Sequence, residues 1–265
     1  VRAYVPPALP FDIPRPVLVL FDGQNVFGDE GSYSGGWHAH AAIDRLVASR
    51  VAVAPVLVAV DHGAEERIDE LGPWFDGKQG GRLDVLLDLI VGQVLPVARV
   101  RFPIVSGPEG VIVGGSSMGG LAALYAHFRR PEVFGGALCM SPSFWFARRA
   151  ILRFVAEEPT PFHSRVYVDA GLGEGQGRVA PLCEELVAHL RARGWADAGP
   201  LAVCLRIDPK GTHSERHWRR RLPKALRFLF TDPPTARRVL AAPPSRRPIT
   251  IPPPAFEGVP RSARR

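Results

Sequence analysis

The chain is built around short apolar runs that do not alternate. Residues 17–21, 51–60, 111–113, 136–140, 166–168 and 201–207 are rich in Val, Leu and Ala, and most present apolar side chains to both faces. A strand covered on one side alternates apolar and polar positions, so runs of this kind need cover above and below. The cover is legible between them. Leu83, Leu86, Leu87, Ile90, Val91 and Val94 recur at helical spacing. So do Leu121, Leu124, Tyr125 and Phe128, then Leu182, Leu186, Val187 and Leu190, then Trp218, Leu222, Leu226 and Leu229. Each set makes one apolar stripe. Strand and helix in alternation predict an α/β fold with a mostly parallel central sheet and helices on both faces.

The Gly-rich and Pro-rich breaks at residues 77–81, 106–110, 159–162 and 171–177 are short enough to be loops inside one domain. Residues 1–232 are therefore expected to form a single domain. Residues 233–265 read as an extended or disordered extension, because from Pro243 onward seven of 23 residues are proline and no apolar period appears. Those 23 residues hold five arginines and one acid, so they supply +4 of the net charge of +7 and leave the rest about +3. With no basic stripe and no recognisable module, nucleic acid is not an expected partner. The longest apolar stretch, 51–60, contains Pro55 and falls well short of the roughly 20 residues a membrane helix needs, so no membrane span is expected. Cys139, Cys183 and Cys204 are odd in number, widely spaced and set in apolar runs. They read as buried thiols of a reducing, cytoplasmic compartment, not as disulfides or a metal site. No feature specifies an oligomer.

The chemistry is concentrated in Gly115-Ser116-Ser117-Met118-Gly119, which stands between the apolar run 111–113 and the stripe beginning at Leu121. A serine forced into a sharp strand-to-helix turn needs small neighbours two residues either side, and that is what G-x-S-x-G supplies. Such a turn exposes the Ser117 hydroxyl and leaves the Met118 amide at a helix N-terminus, where it can receive an oxyanion. A Walker-type phosphate loop would need G-K-[ST], which is absent. An elbow serine also needs a base and an acid, in chain order Ser, Asp/Glu, His. Of the eight histidines, His213 and His217 come after the run 201–207. His213 occupies the turn directly after it and is the candidate base, whereas His217, beside Trp218 in an amphipathic helix, suits packing or the surface. The candidate acid is Glu174, in the Gly-rich loop after the run 166–168. Its rival is Asp169, inside the strand and better suited to structural hydrogen bonding. Gly23, after the run 17–21, lets the backbone turn so that the Gln24 N–H becomes the second oxyanion donor. No cofactor or metal is required.

Asp22-Gly-Gln-Asn-Val-Phe27, Glu66-Arg-Ile-Asp-Glu-Leu71 with Pro73-Trp74, Gly114-Gly-Ser-Ser-Met-Gly-Gly120, Ser141-Pro-Ser-Phe-Trp145 and Gly211-Thr-His-Ser-Glu215 with Trp218 occur in this order. Together they resemble the Putative esterase family of α/β-hydrolases, which includes the enterochelin (trilactone siderophore) esterases, with relatives among feruloyl esterases, esterase D and mycolyltransferases. The likeness runs from about Tyr4 to Phe230. It implies an α/β-hydrolase fold and a serine carboxylic-ester hydrolase acting on a small-molecule ester, with Ser117 as nucleophile, His213 as base, Glu174 as acid and oxyanion amides at Met118 and Gln24. It also implies that Arg67 lines the pocket and meets an anionic or catecholate group. A salt bridge from Arg67 to Glu65, Asp69 or Glu70 is the structural alternative. Trp37, Trp74, Phe144 and Trp145 are expected either to wall the cleft or to sit in the core. Some members carry a separate N-terminal domain. This sequence starts almost at its first hydrolase strand, so the expectation is a catalytic domain without that accessory module. An acyltransferase or a feruloyl or acetyl sugar esterase on the same residues, and a non-catalytic ligand-binding descendant, are the alternatives in function.

Overall fold

The computed structural model describes residues 1–6, 14–30, 32, 35–49 and 54–231; the expected extension, 233–265, lies outside the described residues, as does the start of the run 51–60. Among the described residues the strands are β1 (Arg2–Tyr4), β2 (Val17–Leu20), β3 (Val56–Ala59), β4 (Val111–Ser116), β5 (Gly136–Met140), β6 (Ser164–Gly171) and β7 (Leu201–Asp208). They form one sheet in the order β1-β3-β2-β4-β5-β6-β7. Only β1 is antiparallel to its neighbour.

The helices are α1 (Ala39–Ser49), α2 (Arg67–Leu71), α3 (Leu83–Leu89), α4 (Leu95–Arg101), α5 (Met118–Arg129), α6 (Phe146–Glu157), α7 (Val179–Ala192) and α8 (Glu215–Phe230). The lack of alternation in the strands has its explanation in two apolar layers. Leu18, Leu20, Leu57, Ile112, Leu138 and Met140 pack with α1 and α8 on one face. Val17, Val19, Val58, Val113, Cys139 and Val168 pack with α3 to α7 on the other. Residues 83–94 do not form one straight helix. A π-helical turn, Ile90–Val94, joins α3 to α4 just before Pro96, which has no N–H to return to the carbonyl of Gly92. No helix among the described residues is long and apolar enough to cross a membrane. Cys139 and Cys183 are buried, Cys204 is partly so, and all three are free.

The topology decides where chemistry can occur. From β2 the chain moves outward to β3, then returns across β2 to β4. The connections leaving β2 and β4 therefore diverge and open a crevice at the carboxyl ends of two neighbouring parallel strands.

Candidate active site

Ser117 stands at the end of β4 with φ 56° and ψ −119°, a conformation that L side chains rarely adopt. Such strain costs about 1–3 kcal/mol and persists only where the surroundings over-determine it. Here its N–H donates to the Met140 carbonyl at 3.0 Å, and its carbonyl accepts from the N–H groups of Ser143, Gly120 and Leu121 at 2.9, 3.1 and 3.1 Å. The glycines are required by the same turn. A Cβ on Gly115 would lie 2.7–2.9 Å from the backbone of Gly119, and one on Gly120 would lie 3.1 Å from Pro142. Met118 is the first residue of α5, so its N–H has no intrahelical acceptor. The Ser117 Oγ lies 3.2 Å from the Oγ of Ser143.

The loops after β6 and β7 bring Glu174 and His213 together, with His213 Nδ1 3.0 Å from Glu174 Oε2. That contact leaves Nε2 as the ring nitrogen available for a proton from outside the pair. The imidazole stands edge-on to Trp218 at 5.0 Å. Its loop is tied by His217, whose Nδ1 accepts from the Thr212 N–H at 2.5 Å and lies 2.7 Å from Thr212 Oγ1. The other oxygen of Glu174, Oε1, accepts from the Gly171 N–H at 2.8 Å, from Ser141 Oγ at 2.9 Å and from Arg221 Nη1 at 3.5 Å. Burial favours the protonated acid, but the hydrogen bonds from His213, Ser141 and Gly171 and the Arg221 charge outweigh it and hold Glu174 below its ordinary pKa. Asp169 faces Arg221 instead, at 3.0 and 3.1 Å. Burial pushes its pKa up to about 7 despite that cation.

Across the crevice, the turn after β2 lies against the start of α5. Asp22 adopts a left-handed φ of 57°, and a Cβ on Gly119 would come within 3.1 Å of its carboxylate. The Gln24 side chain is engaged on both sides by the His62 backbone, donating at 2.8 Å and accepting at 3.2 Å, which fixes the segment bearing its N–H. Arg67 donates through Nε and Nη2 to the two oxygens of Asp22 at 2.6 and 2.8 Å. Its ion-pair partner is thus Asp22 and not the neighbouring Glu65, Asp69 or Glu70. Burial works against the guanidinium charge, and Asp22 more than offsets it, so the Arg67 pKa is raised. Among the described residues no three His, Cys, Asp or Glu side chains converge as a metal site.

The family model described as Putative esterase matches residues 1–229. The chain belongs to that family. Its sheet and covering helices are those of the α/β-hydrolase fold. The siderophore triacetylfusarinine C esterase of Aspergillus fumigatus is 28% identical over 193 residues, which are 68% of this chain and 63% of that protein. The iron(III) enterobactin esterase of Dickeya dadantii is 38% identical over 159 residues, 60% of this chain and 31% of that one. The chain thus spans under two thirds of the length of these relatives. The BES protein from Bacillus cereus has the same fold, with a TM-score of 0.69 at 20% identity over 86% of this chain and 87% of its own.

The expected wall residues separate. Trp145 is 58% exposed, two residues beyond Ser143. Trp37 is only 4% exposed and packs against Trp218 at 6.0 Å. Trp74 packs edge-on to Tyr125 and Phe154 at 5.4 and 5.8 Å in a cluster beneath α5 and α6, and Phe144 is fully buried. Their aromatic type fits a core as well as a cleft, so composition alone could not separate the two. Roles for Asp22, Ser141, Ser143 and Arg221 were not assigned from sequence. The first three lie within quoted motifs. Arg221 is one of several arginines on α8, and only its 6% side-chain exposure distinguishes it.

Proposed function

We propose that this chain hydrolyses carboxylic esters through an acyl-enzyme, with Ser117 as nucleophile, His213 as base and Glu174 as the acid that orients it. The observation that carries the reading is the 3.0 Å carboxylate–imidazole pair on the same sheet edge as a serine in a strained strand-to-helix turn. Nε2 of His213 takes the Ser117 proton as Oγ adds to the ester carbonyl, and the N–H groups of Met118 and Gln24 receive the oxyanion. Collapse expels the alcohol, which takes the proton from His213 and leaves acyl-Ser117. Water then attacks the acyl group, again giving its proton to His213. The carboxylic acid leaves, and Ser117 recovers its hydrogen.

The substrate class we propose is a siderophore ester, with a trilactone as the specific candidate. One relative named as a siderophore esterase and one named as an iron(III) enterobactin esterase support it. So does Arg67, which Asp22 holds beside the start of α5 while Nη1 lies outside that pair as a free donor direction. Ser117→Ala is expected to abolish turnover of p-nitrophenyl acetate and covalent labelling by a fluorophosphonate, with the melting temperature retained. Retained turnover would refute the assignment. A panel of short acyl esters, feruloyl sugars and catecholate lactones tests the class: the highest kcat/KM is expected on the lactones, and a higher value on either other group would overturn it.

A further inference from the structure

The segment Ser141-Pro142-Ser143 comes directly after β5 and reaches both ends of the proposed proton relay. Ser141 is fully buried and carries a positive φ of 44°, rare for a residue with a side chain. Its hydroxyl donates to Glu174 Oε1 at 2.9 Å and accepts from Trp218 Nε1 at 2.9 Å and Arg221 Nη2 at 2.7 Å. One donor and two lone pairs are thereby used in full. Its N–H is engaged as well, by the carbonyl of Asp169 at 2.8 Å. Two residues on, Ser143 is 3% exposed, its N–H donates to the Ser117 carbonyl at 2.9 Å, and its Oγ lies 3.2 Å from the Ser117 Oγ. Between the two serines stands Pro142, whose ring fixes φ and which faces the start of α5 at Gly120. The acid contact and the nucleophile contact are thus carried by one three-residue turn.

We propose that the Ser141–Ser143 turn is a brace that fixes the acid and the nucleophile in one frame, with Ser143 a further catalytic hydroxyl at the Ser117 oxygen and Ser141 a positioning residue for Glu174. The inference rests on the assignment of Ser117 and Glu174 above. Ser117 has a single hydroxyl hydrogen, which must pass to His213 as attack proceeds. A Ser143 hydroxyl that donates to Ser117 Oγ leaves that hydrogen free for the imidazole. It also stabilises the negative charge that gathers on Oγ during attack and again when the acyl-enzyme breaks down, and no proton leaves Ser143. At Ser141 the strained backbone is retained because no other position on the turn meets Glu174, Trp218 and Arg221 at once.

The test compares Ser143→Ala, Ser141→Gly and Ser117→Ala with the parent chain, reading kcat and KM on p-nitrophenyl acetate and the melting temperature. Ser143→Ala is expected to lower kcat about three- to tenfold, the effect of one neutral hydrogen bond, with KM changed less than about twofold. Ser141→Gly relieves the positive φ yet removes the hydroxyl, so kcat should again fall while KM holds. A turn with a merely structural role would keep kcat in both variants, and that outcome, with Ser117→Ala inactive, overturns the brace. Turnover by Ser117→Ala would instead sink the nucleophile assignment itself. Ser143→Cys and Ser141→Cys, close in volume but weak donors, carry the same comparison where an Ala or Gly variant does not fold.

Discussion

Glu174 and Asp169 are two buried carboxylates sharing one guanidinium, Arg221, and their surroundings drive them apart. Glu174 has His213, Ser141 and the Gly171 N–H as well as Arg221, and is held ionised. Asp169, deeper in β6, is raised to about 7 by burial. An ionised acid at Nδ1 fixes the tautomer that leaves Nε2 able to accept a proton, which the amide of a Gln cannot do in the same sense. Glu174→Gln is therefore expected to lower kcat on p-nitrophenyl acetate by on the order of 10³- to 10⁴-fold. Asp169→Asn, which reaches the pair through Arg221, the Ser141 N–H and its charge near Glu174, should cost about tenfold or less; a loss as large as that of Glu174→Gln would reverse the assignment of the two acids. At this scale the sequence was informative wherever backbone geometry restricts residue type. Gly115, Ser117 and Gly119 are legible because the turn admits little else. Chain order singles out His213 and Glu174 as candidates, and the structure brings their side chains to 3.0 Å. Arg221 was not, because a buried guanidinium and a solvated one carry the same letter, and the Arg67 partner was missed because Asp22 lies 45 residues away.

The elements divide in the same way. Residues 17–21 and 136–140 correspond closely to β2 and β5, since a strand buried on both faces has few acceptable residues, while 201–207 matches β7, a partly buried strand at the sheet edge. Pro55 confines β3 to Val56–Ala59. The edge strand β1 is three residues long and outside the apolar pattern. Helices α1 and α6 were also unforeseen. In α1 much of the buried face is alanine, and in α6 three arginines interrupt the stripe. Their place is set by the sheet they cover more than by their own sequence. Helix α5 shows what such docking requires. Fully buried His127, near its C-terminus, has Nδ1 2.7 Å from the Phe134 carbonyl and Nε2 2.7 Å from Ser164 Oγ, which also accepts from Trp195 Nε1 at 3.1 Å. A neutral ring donating from Nδ1 and accepting at Nε2 satisfies every partner, whereas a charged ring would oppose the Ser164 hydroxyl hydrogen. Burial accordingly lowers the His127 pKa from 6.5 to about 4. A group depressed on folding contributes stability that is fully present above its unfolded value and is lost as pH falls towards its folded value. Between pH 6.5 and about 4 the fold is expected to lose roughly 3 kcal/mol through this side chain. Thermal melts across that range should fall more steeply for the parent than for His127→Gln, which does not titrate. Parallel curves would show that His127 is not the source.

For the whole molecule, the sheet order gathers the chemistry at one edge. The turns after β2, β4, β5, β6 and β7 carry Gln24, Ser117, Ser143, Glu174 and His213 in turn, all beyond the carboxyl ends of parallel strands. His213 is the last of these in the chain, and the next element is α8, which closes one apolar face through Trp218, Leu222, Leu226 and Leu229. The end of that helix has its own anchor. Arg165, buried at the start of β6, donates from Nη1 to the carbonyls of Phe228 at 2.9 Å and Thr231 at 3.3 Å, a cation placed where the helix dipole and its unpaired carbonyls favour one. Among the described residues the candidate site, both apolar layers and this helix cap come from positions up to 231. We propose on that ground that residues 1–232 are an autonomous catalytic unit. Residues 233–265 hold seven arginines and one acid, or six of the seven net positive charges, so removing them leaves a nearly neutral body. A chain ending at residue 232 is expected to keep kcat/KM for the neutral ester p-nitrophenyl acetate within about twofold, and a melting shift of no more than about 2–4 °C, the equivalent of about 1 kcal/mol. A neutral ester isolates the fold from long-range attraction, because only a charged substrate would register the lost field. A tenfold loss on that neutral ester, or a collapse of the melting temperature, would mean that the extension completes the site or the core.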